Sequence, residues 1–271
     1  MVRLPAVAGR FYPGDSKTLS ATIDGFLENS VPKTRAIGIV VPHAGYIYSG
    51  AVAGAVYSQT LIPSRSIVLC PNHTGLGQPL AIMREGAWRT PLGDLQVDIE
   101  MCDALMEADP SLENDAIAHK HEHALEVQLP FLQHLQGPTH RFVPIVIGTG
   151  SWDALSALGE AIAQAISKVD RSTLIIASSD MNHYESDAIT RTKDFKAIDQ
   201  ILKRDPKGLL QTVRQEGISM CGVGPVTSML VAGNLLQASN AKLVRYATSA
   251  ETSGDFDRVV GYAGAILGTN D

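Results

Sequence analysis

The chain has 271 residues, 45% of them hydrophobic and 18% charged, with a formal net charge of −6. This length and composition suit one large buried core and exclude an intrinsically disordered chain. The acidic balance, with no run of clustered Lys and Arg, argues against nucleic acid as a partner, because phosphate binding needs a basic face.

At the start, MVRLPAVAGRFYPGD is interrupted by Pro5 and Arg10, so it does not read as a secretory signal. Residues 36–64 carry no charged side chain apart from His43, but Pro42, Gly45, Gly50 and Pro63 divide them into strand, loop and buried helix rather than a membrane span. Short β-branched runs then alternate with helical patterns. AIGIVV (36–41), SIVLC (66–70), RFVPIVIG (141–148) and TLIIASS (173–179) are continuous apolar runs of strand length, as expected of central strands covered on both faces. LVRYAT (243–248) and VVGYAGAIL (259–267) are expected as later strands. Helices are expected over 50–60, over 153–168 behind a Ser151 cap, over 187–203 with Ile189, Phe195, Ile198, Ile201 and Leu202 on its apolar face, and over 224–237 with Pro225 in the first turn. With no internal repeat and no Gly/Ser linker, residues 1–271 read as one α/β domain: a mixed, largely buried β-sheet flanked by helices. Three cysteines make no disulfide framework and fit a reducing cytoplasm.

The chemistry gathers at strand ends. His43 follows AIGIVVP, His73 follows SIVLCPN and His183 follows TLIIASSDMN, so each lies just past the carboxyl end of an expected strand. That edge of an open α/β sheet is where ligand crevices form. Any one of these histidines alone is most simply a strand cap or a loop hydrogen bond; the three together are better explained as one metal-type site. Asp180 stands three residues before His183, where it would orient an imidazole, ligate a metal or cap a turn. Cys221 lies directly before the helix at 224–237, where thiolates are stabilised, and the residues alone leave ligand and core thiol equally open. Cys70 and Cys102 fall in a strand and a helical run and read as core. The segment HKHEHALEVQLPF holds His119, His121, Glu122, His123 and Glu126, but it is not the H-E-x-x-H pattern of a zincin. His119 and His121 read as solvated loop residues and His123 as a candidate pocket residue. No GxSxG elbow, Walker loop or dinucleotide fingerprint is present, and GVGPV lacks the third glycine.

In order along the chain, AGRFYP, VPHAGYIYSG, LCPNHTG, WRTPLGDL, EHALEVQLPF, PIVIG, SSDMNHY, CGVGP and GYAGAI resemble the motif series of the Memo family. Prokaryotic members are known as the B component of the AmmeMemoRadiSam gene set. The resemblance implies a fold similar to the class III extradiol dioxygenases, which bind non-haem iron through two histidines and a glutamate. By that resemblance His43 and His73 match the two histidine ligands, and Cys221 falls where Memo proteins have cysteine in place of the glutamate. His183 matches the acid/base position, with Asp180 and His123 lining the pocket. A sulfur ligand shifts preference toward copper or zinc while keeping iron in play, and makes catechol cleavage doubtful because a thiolate is itself oxidised. The expectation is a metal protein using iron or copper, with zinc as a third choice, and with oxidoreductase activity on a small molecule or peptide. Co-encoded AmmeMemoRadiSam proteins are expected partners, and nucleic acid and membrane are not. Alternatives are a partner-binding adaptor using the same pocket, a true extradiol dioxygenase and, more remotely, a zinc hydrolase.

Overall fold

The computed structural model describes residues 1–28 and 30–269. The first half of the chain forms β1 (Val2–Arg3), α1 (Ser16–Phe26), β2 (Gly38–Val41), α2 (Tyr46–Ser58) and β3 (Arg65–Pro71). It continues with β4 (Leu80–Ile82), β5 (Ala87–Thr90), β6 (Gly93–Val97), α3 (Ile99–Ala108), β7 (Glu113–Asn114) and α4 (Leu129–Gln136). After these come β8 (Arg141–Ile147), α5 (Trp152–Val169), β9 (Leu174–Ser178), β10 (His183–Glu185) and α6 (Asp187–Lys203). The chain closes with α7 (Pro206–Gln215), α8 (Val223–Leu235), β11 (Asn240–Thr248), α9 (Ala250–Ser253) and β12 (Val259–Gly268).

The strands form one mixed sheet in the order β1-β5-β6-β8-β3-β9-β2-β12-β10, with β11 also on β12, β4 on β8, and β7 on β4. Its centre, β6-β8-β3-β9-β2, is parallel, and β12 joins β2 antiparallel. Parallel strands need covering crossovers, and helices supply them on both faces. A Cβ on Gly38 would meet Met229 of α8, while one on Gly264 would meet Val52 and Val56 of α2. Because Ala265 pairs with Val40, these two glycines point to opposite faces, so α8 and α2 sandwich the sheet. The β2, β8 and β9 strands are buried almost throughout, which is why their sequences are apolar without alternation.

The expected strands and helices lie where the sequence places them, within a few residues. Three details differ. The helix over Asp187–Lys203 buries Thr190, Asp194, Ala197, Ile198 and Ile201, while Ile189 and Phe195 are exposed. Phe195 packs at the surface on Tyr246, with ring centroids 5.0 Å apart, rather than in the core. Ser151 stands at the α5 N-terminus but its side chain makes no capping bond. No helix among the described residues is long and apolar enough to cross a membrane.

Close backbone approach fixes α2, and with it the loop that carries His43. Gly54 of α2 faces the end of α1 so tightly that a Cβ there would collide with the Phe26 carbonyl. Backbone cannot swing aside as a side chain can, so overpacking is costly here. Gly54→Ala should lower unfolding free energy by about 1–3 kcal/mol, whereas Gly25→Ala, with open space at its Cβ position, should lower it by less than about 0.5 kcal/mol. Paired urea titrations check this, and equal losses in the two variants would refute it.

Candidate metal centre

Three neighbouring parallel strands deliver three polar residues to one edge of the sheet. His43 lies two residues past the end of β2, His73 two past β3 and Asp180 two past β9, and β9 sits between the other two strands. His123 arrives from the turn that precedes α4. The ligand-capable atoms of His43, His73 and His123 lie within 4.8 Å of one another. His73 and His123 stack with centroids 4.7 Å apart, and His43 stands edge-on to both at 5.2 and 5.6 Å. Cys221 Sγ lies 3.3 Å from His43 Nε2.

Hydrogen-bond accounting assigns the protons. Ser178 Oγ is 2.6 Å from the Ala124 carbonyl, which only accepts, so the one hydroxyl hydrogen goes there. Gln128 Nε2 donates to the same Oγ at 3.0 Å. The remaining contact, 3.0 Å to His43 Nδ1, is therefore an Nδ1–H donating to Ser178. That leaves the Nε2 lone pair of His43 facing the cluster. Gln128 is itself held in place, because its Nε2 also donates to the Pro42 carbonyl and its Oε1 accepts from the Tyr57 hydroxyl.

A carboxylate sets His73 in the same way. The fully buried Glu122 accepts from His73 Nδ1 at 2.9 Å, from the His73 backbone N–H at 2.6 Å and from the Ala124 N–H at 2.9 Å. Burial works against its charge, but the bonds from His73 and these backbone groups prevail and hold the carboxyl down at about 2. Burial also opposes a charged His73, yet the Glu122 bond and charge raise its pKa. Burial, then the neighbouring His73 and His123, push His43 well below its ordinary value, and burial lowers His123 likewise. Cys221 is pushed up by burial and then by the Asp180 charge, so the sulfur keeps its proton and donates to His43 Nε2.

Asp180 and His183 flank the cluster. Asp180 Oδ1 accepts the His43 backbone N–H at 2.7 Å, and burial raises its pKa. The His183 Nδ1 stands 3.1 Å from the Ser219 carbonyl, so that nitrogen is the donor, and the His183 backbone N–H donates to Ser219 Oγ at 2.7 Å. Asn182 clamps this loop to the one bearing Cys221: its Oδ1 accepts from Ser219 N and Oγ at 3.1 and 3.2 Å. Asp194 in turn accepts the Asn182 backbone N–H at 2.8 Å and the Tyr246 hydroxyl at 2.7 Å.

The structure thus gathers His43, His73 and His123, with Cys221 and Asp180 against His43 and His183 at the side. Glu126 faces away from the cluster. It pairs with Arg3 and accepts from Ala6 N, Val7 N and the Tyr12 hydroxyl, binding the N-terminal residues to this segment. Arg3 also donates to the Glu122 carbonyl at 2.7 Å. His121 is exposed as expected, but His119 is not a solvated residue: it is fully buried edge-on to Trp88, and burial lowers its pKa to about 3. The orienting roles of Glu122, Ser178 and Gln128 escaped the sequence reading. Only the strand-end position of Ser178 and the adjacency of Glu122 to His123 hinted at them.

The three imidazoles fit a transition-metal ion, whereas Cys221, expected as a ligand, lies beside His43 but outside the group whose ligand atoms are all within 4.8 Å of one another. Nitrogen bonds of about 2.0–2.1 Å and a sulfur bond of about 2.3 Å place tetrahedral N and S donors about 3.5 Å apart, close to the 3.3 Å between His43 Nε2 and Cys221 Sγ. Orientation of imidazoles by a carboxylate and a hydroxyl through Nδ1 is the usual support of metal-ligating histidines.

Fold and site together define an α/β protein with a histidine cluster of metal-binding type at the carboxyl edge of its sheet. The model of the family described as Memo-like protein matches residues 3–266. The chain is 41% identical to a MEMO1 family protein of Methanopyrus kandleri, over 98% of this chain and 99% of that one. It is 42% identical to one of Pyrobaculum arsenaticum, with the same coverage of both chains, and 40% identical to one of Methanosarcina acetivorans, again over 98% and 99%. The chain belongs to the Memo family.

The Asp194 support has a pH signature. Burial outweighs the bonds from Tyr246 and Asn182 and pushes this carboxyl from 3.8 up to about 6. A raised value in the folded state means that its stabilising contribution is complete below 3.8 and is lost as pH rises through about 6. Asp194→Asn lacks that loss. Between about pH 4 and about pH 7.5, the difference in unfolding free energy should move in favour of the variant by about 1–3 kcal/mol. Urea titrations at the two pH values measure it, and a pH-independent difference would overturn the assignment.

Proposed function

We propose that this protein binds one redox metal ion, iron or copper, and uses it as an oxidoreductase on a small molecule or peptide. His43, His73 and His123 supply imidazole nitrogens, and Cys221 supplies sulfur. The observation that carries the reading is the spacing of the donors: three imidazoles within 4.8 Å and a thiol 3.3 Å from Nε2 of His43. A soft sulfur beside imidazoles favours copper, iron or zinc over the hard cations, which prefer oxygen. Bound there, iron or copper would supply one-electron redox chemistry and a Lewis-acidic centre.

The protein's own groups do the rest. The hydrogen bonds to Ser178 and Glu122 hold the His43 and His73 rings in place before any ion arrives, which limits the ordering cost of binding. Cys221 must give up its proton to bind, so uptake is coupled to proton release. His183, with its Nδ1–H committed to Ser219, keeps Nε2 as a base for a proton from a ligand in the pocket. Asp180 holds the His43 loop and places a negative charge beside that proton path.

Metal analysis of untagged protein after anaerobic loading with Fe(II) or Cu(I) tests the proposal. About one ion per chain is expected. His43→Ala combined with His73→Ala should lose it, and Cys221→Ser should retain less copper. Unchanged metal content in the double variant would sink the reading, and no uptake by the wild type would leave a partner-binding adaptor as the better account. Oxygen consumption over a catechol panel separates ring cleavage from other oxidations, and preferential retention of zinc would point to hydrolysis. Removing the carboxylate that orients His73 should also tell: Glu122→Gln is expected to weaken metal affinity by about 10–100-fold, read by competition with a chromophoric chelator. Unaltered affinity would remove Glu122 from the support of the site.

A further inference from the structure

A cavity of 540 Å³ is lined by residues of the N-terminal segment 1–6, by residues of the turn 116–121 and by the buried Met83; no residue of the histidine cluster lines it. Apolar side chains are left in water there. Met1 is 89% exposed, Leu4 62%, Ile117 61% and Val2 42%. Single apolar residues scattered over a surface need no explanation, but several gathered in one concavity mark a binding surface.

Both walls are fixed by hydrogen bonds. On one side the Met1 carbonyl accepts the Ala87 N–H at 3.0 Å, and Glu126 takes the Ala6 N–H at 2.8 Å. On the other, Asp115 accepts the Ile117 N–H and the Gln78 N–H, each at 2.8 Å, and its own N–H donates to the Ile82 carbonyl at 2.9 Å. The cavity therefore exists before any ligand enters, which limits the ordering cost of filling it. Its charge is one-sided. The ionisable side chains that line it are Arg3, Lys120 and His121, with no carboxylate among them, in a chain where 28 acidic residues outnumber 22 Lys and Arg. Arg3 is spent on Glu126 and on the carbonyls of His119 and Glu122. Lys120 is exposed, and among the described residues no group accepts from its ammonium.

We propose that this cavity is a second ligand site, and that it takes a medium-chain aliphatic carboxylate free in solution. The chain is buried against Val2, Leu4, Met83 and Ile117, and the carboxylate takes the Lys120 ammonium, an ion pair strengthened by hydrogen bonding. The volume falls within the range of about 300–1,000 Å³ usual for small-molecule sites, which are mostly apolar with a few polar groups fixing orientation. Apart from the ring of His121 the lining is aliphatic or thioether, so a flexible alkyl chain suits it better than a flat aromatic ring, and methionines adapt readily to such a chain. The site lies outside the metal pocket and does not depend on metal binding.

Calorimetric titration of metal-free protein with hexanoate, octanoate and decanoate tests it. Each added pair of CH₂ groups should tighten binding by about tenfold. Octanol, which lacks the charge, should bind about fivefold more weakly than octanoate, and octylammonium more weakly still. Ile117→Glu should abolish octanoate binding without lowering Tm, because the side chain it replaces is exposed. Lys120→Gln should bring octanoate down to the level of octanol. Leu235→Glu, which replaces an exposed leucine outside the cavity, should alter neither affinity. No binding of octanoate, an affinity independent of chain length, equal affinities for octanoate and octanol, or wild-type affinity in Ile117→Glu each overturns the proposal. So does binding to phosphatidylglycerol vesicles without binding of free octanoate, which would make the cavity a membrane contact. A dimer that Ile117→Glu dissociates and octanoate leaves intact, seen by sedimentation, would assign the cavity to a second copy of the chain instead.

Discussion

A carboxylate shut away from water must be satisfied by donors of the protein, and in this fold the donors that satisfy Glu122 hold the pocket together. Its oxygens take the His73 ring, the His73 backbone N–H and the Ala124 N–H, while its own carbonyl takes Arg3. The loop after β3 is thereby tied to the turn that carries His123. The adjacent Ala124 carbonyl takes the Ser178 hydroxyl hydrogen, and this in turn decides which nitrogen of His43 carries a proton. All three imidazoles thus depend on one short stretch, 122–124. Leaving a buried charge without a partner costs about 3–5 kcal/mol, so the network is specified as a unit rather than assembled from independent contacts.

The same accounting explains why the cluster presents lone pairs. Burial favours the neutral ring at His43 and His123, while the bond to Glu122 turns the His73 Nδ1–H outward from the cluster and raises that ring's pKa. Among nitrogens prepared in this way, Cys221 keeps its proton because burial and the nearby Asp180 disfavour a thiolate. The S–H donating to His43 Nε2 occupies a direction in which a cation would otherwise lie.

Much of this arrangement is legible in the sequence because its cause is local. Parallel strands buried on both faces have apolar runs without alternation, so AIGIVV and TLIIASS announce β2 and β9. The residues just past such strands then fall at one edge of the sheet, which places His43 and His73 there from the sequence alone. His123 follows no strand; only the fold around β4, β7 and α4 brings its turn across to the others. The burial of His119 is hidden from the sequence for a related reason. A histidine among polar letters reads as solvated, and nothing nearby in the chain shows that Trp88 and Arg3, both remote in sequence, will enclose it. The exposed Ile189 and Phe195 show the opposite error, in which helical spacing was right but the packed face was set by Thr190 and Asp194.

Charge balance gives the proposed sulfur a meaning beyond softness. Imidazoles bring no charge, so an ion held by three of them in a buried pocket carries its full charge into low dielectric, which is costly. One thiolate cancels a unit of it. A monovalent copper would then be neutral, and a divalent iron would leave one positive charge for Asp180, which already sits against the His43 backbone. Among the described residues Asp180 is held by the His43 N–H and by no arginine or lysine, so its charge is not spent on a permanent ion pair. A carboxylate in place of Cys221 would balance charge equally well, but it would be harder and would resist oxidation. Sulfur instead lowers the barrier to electron transfer while exposing the ligand itself to oxidants. A half-buried thiol that keeps its proton and donates it in a hydrogen bond to His43 limits that exposure.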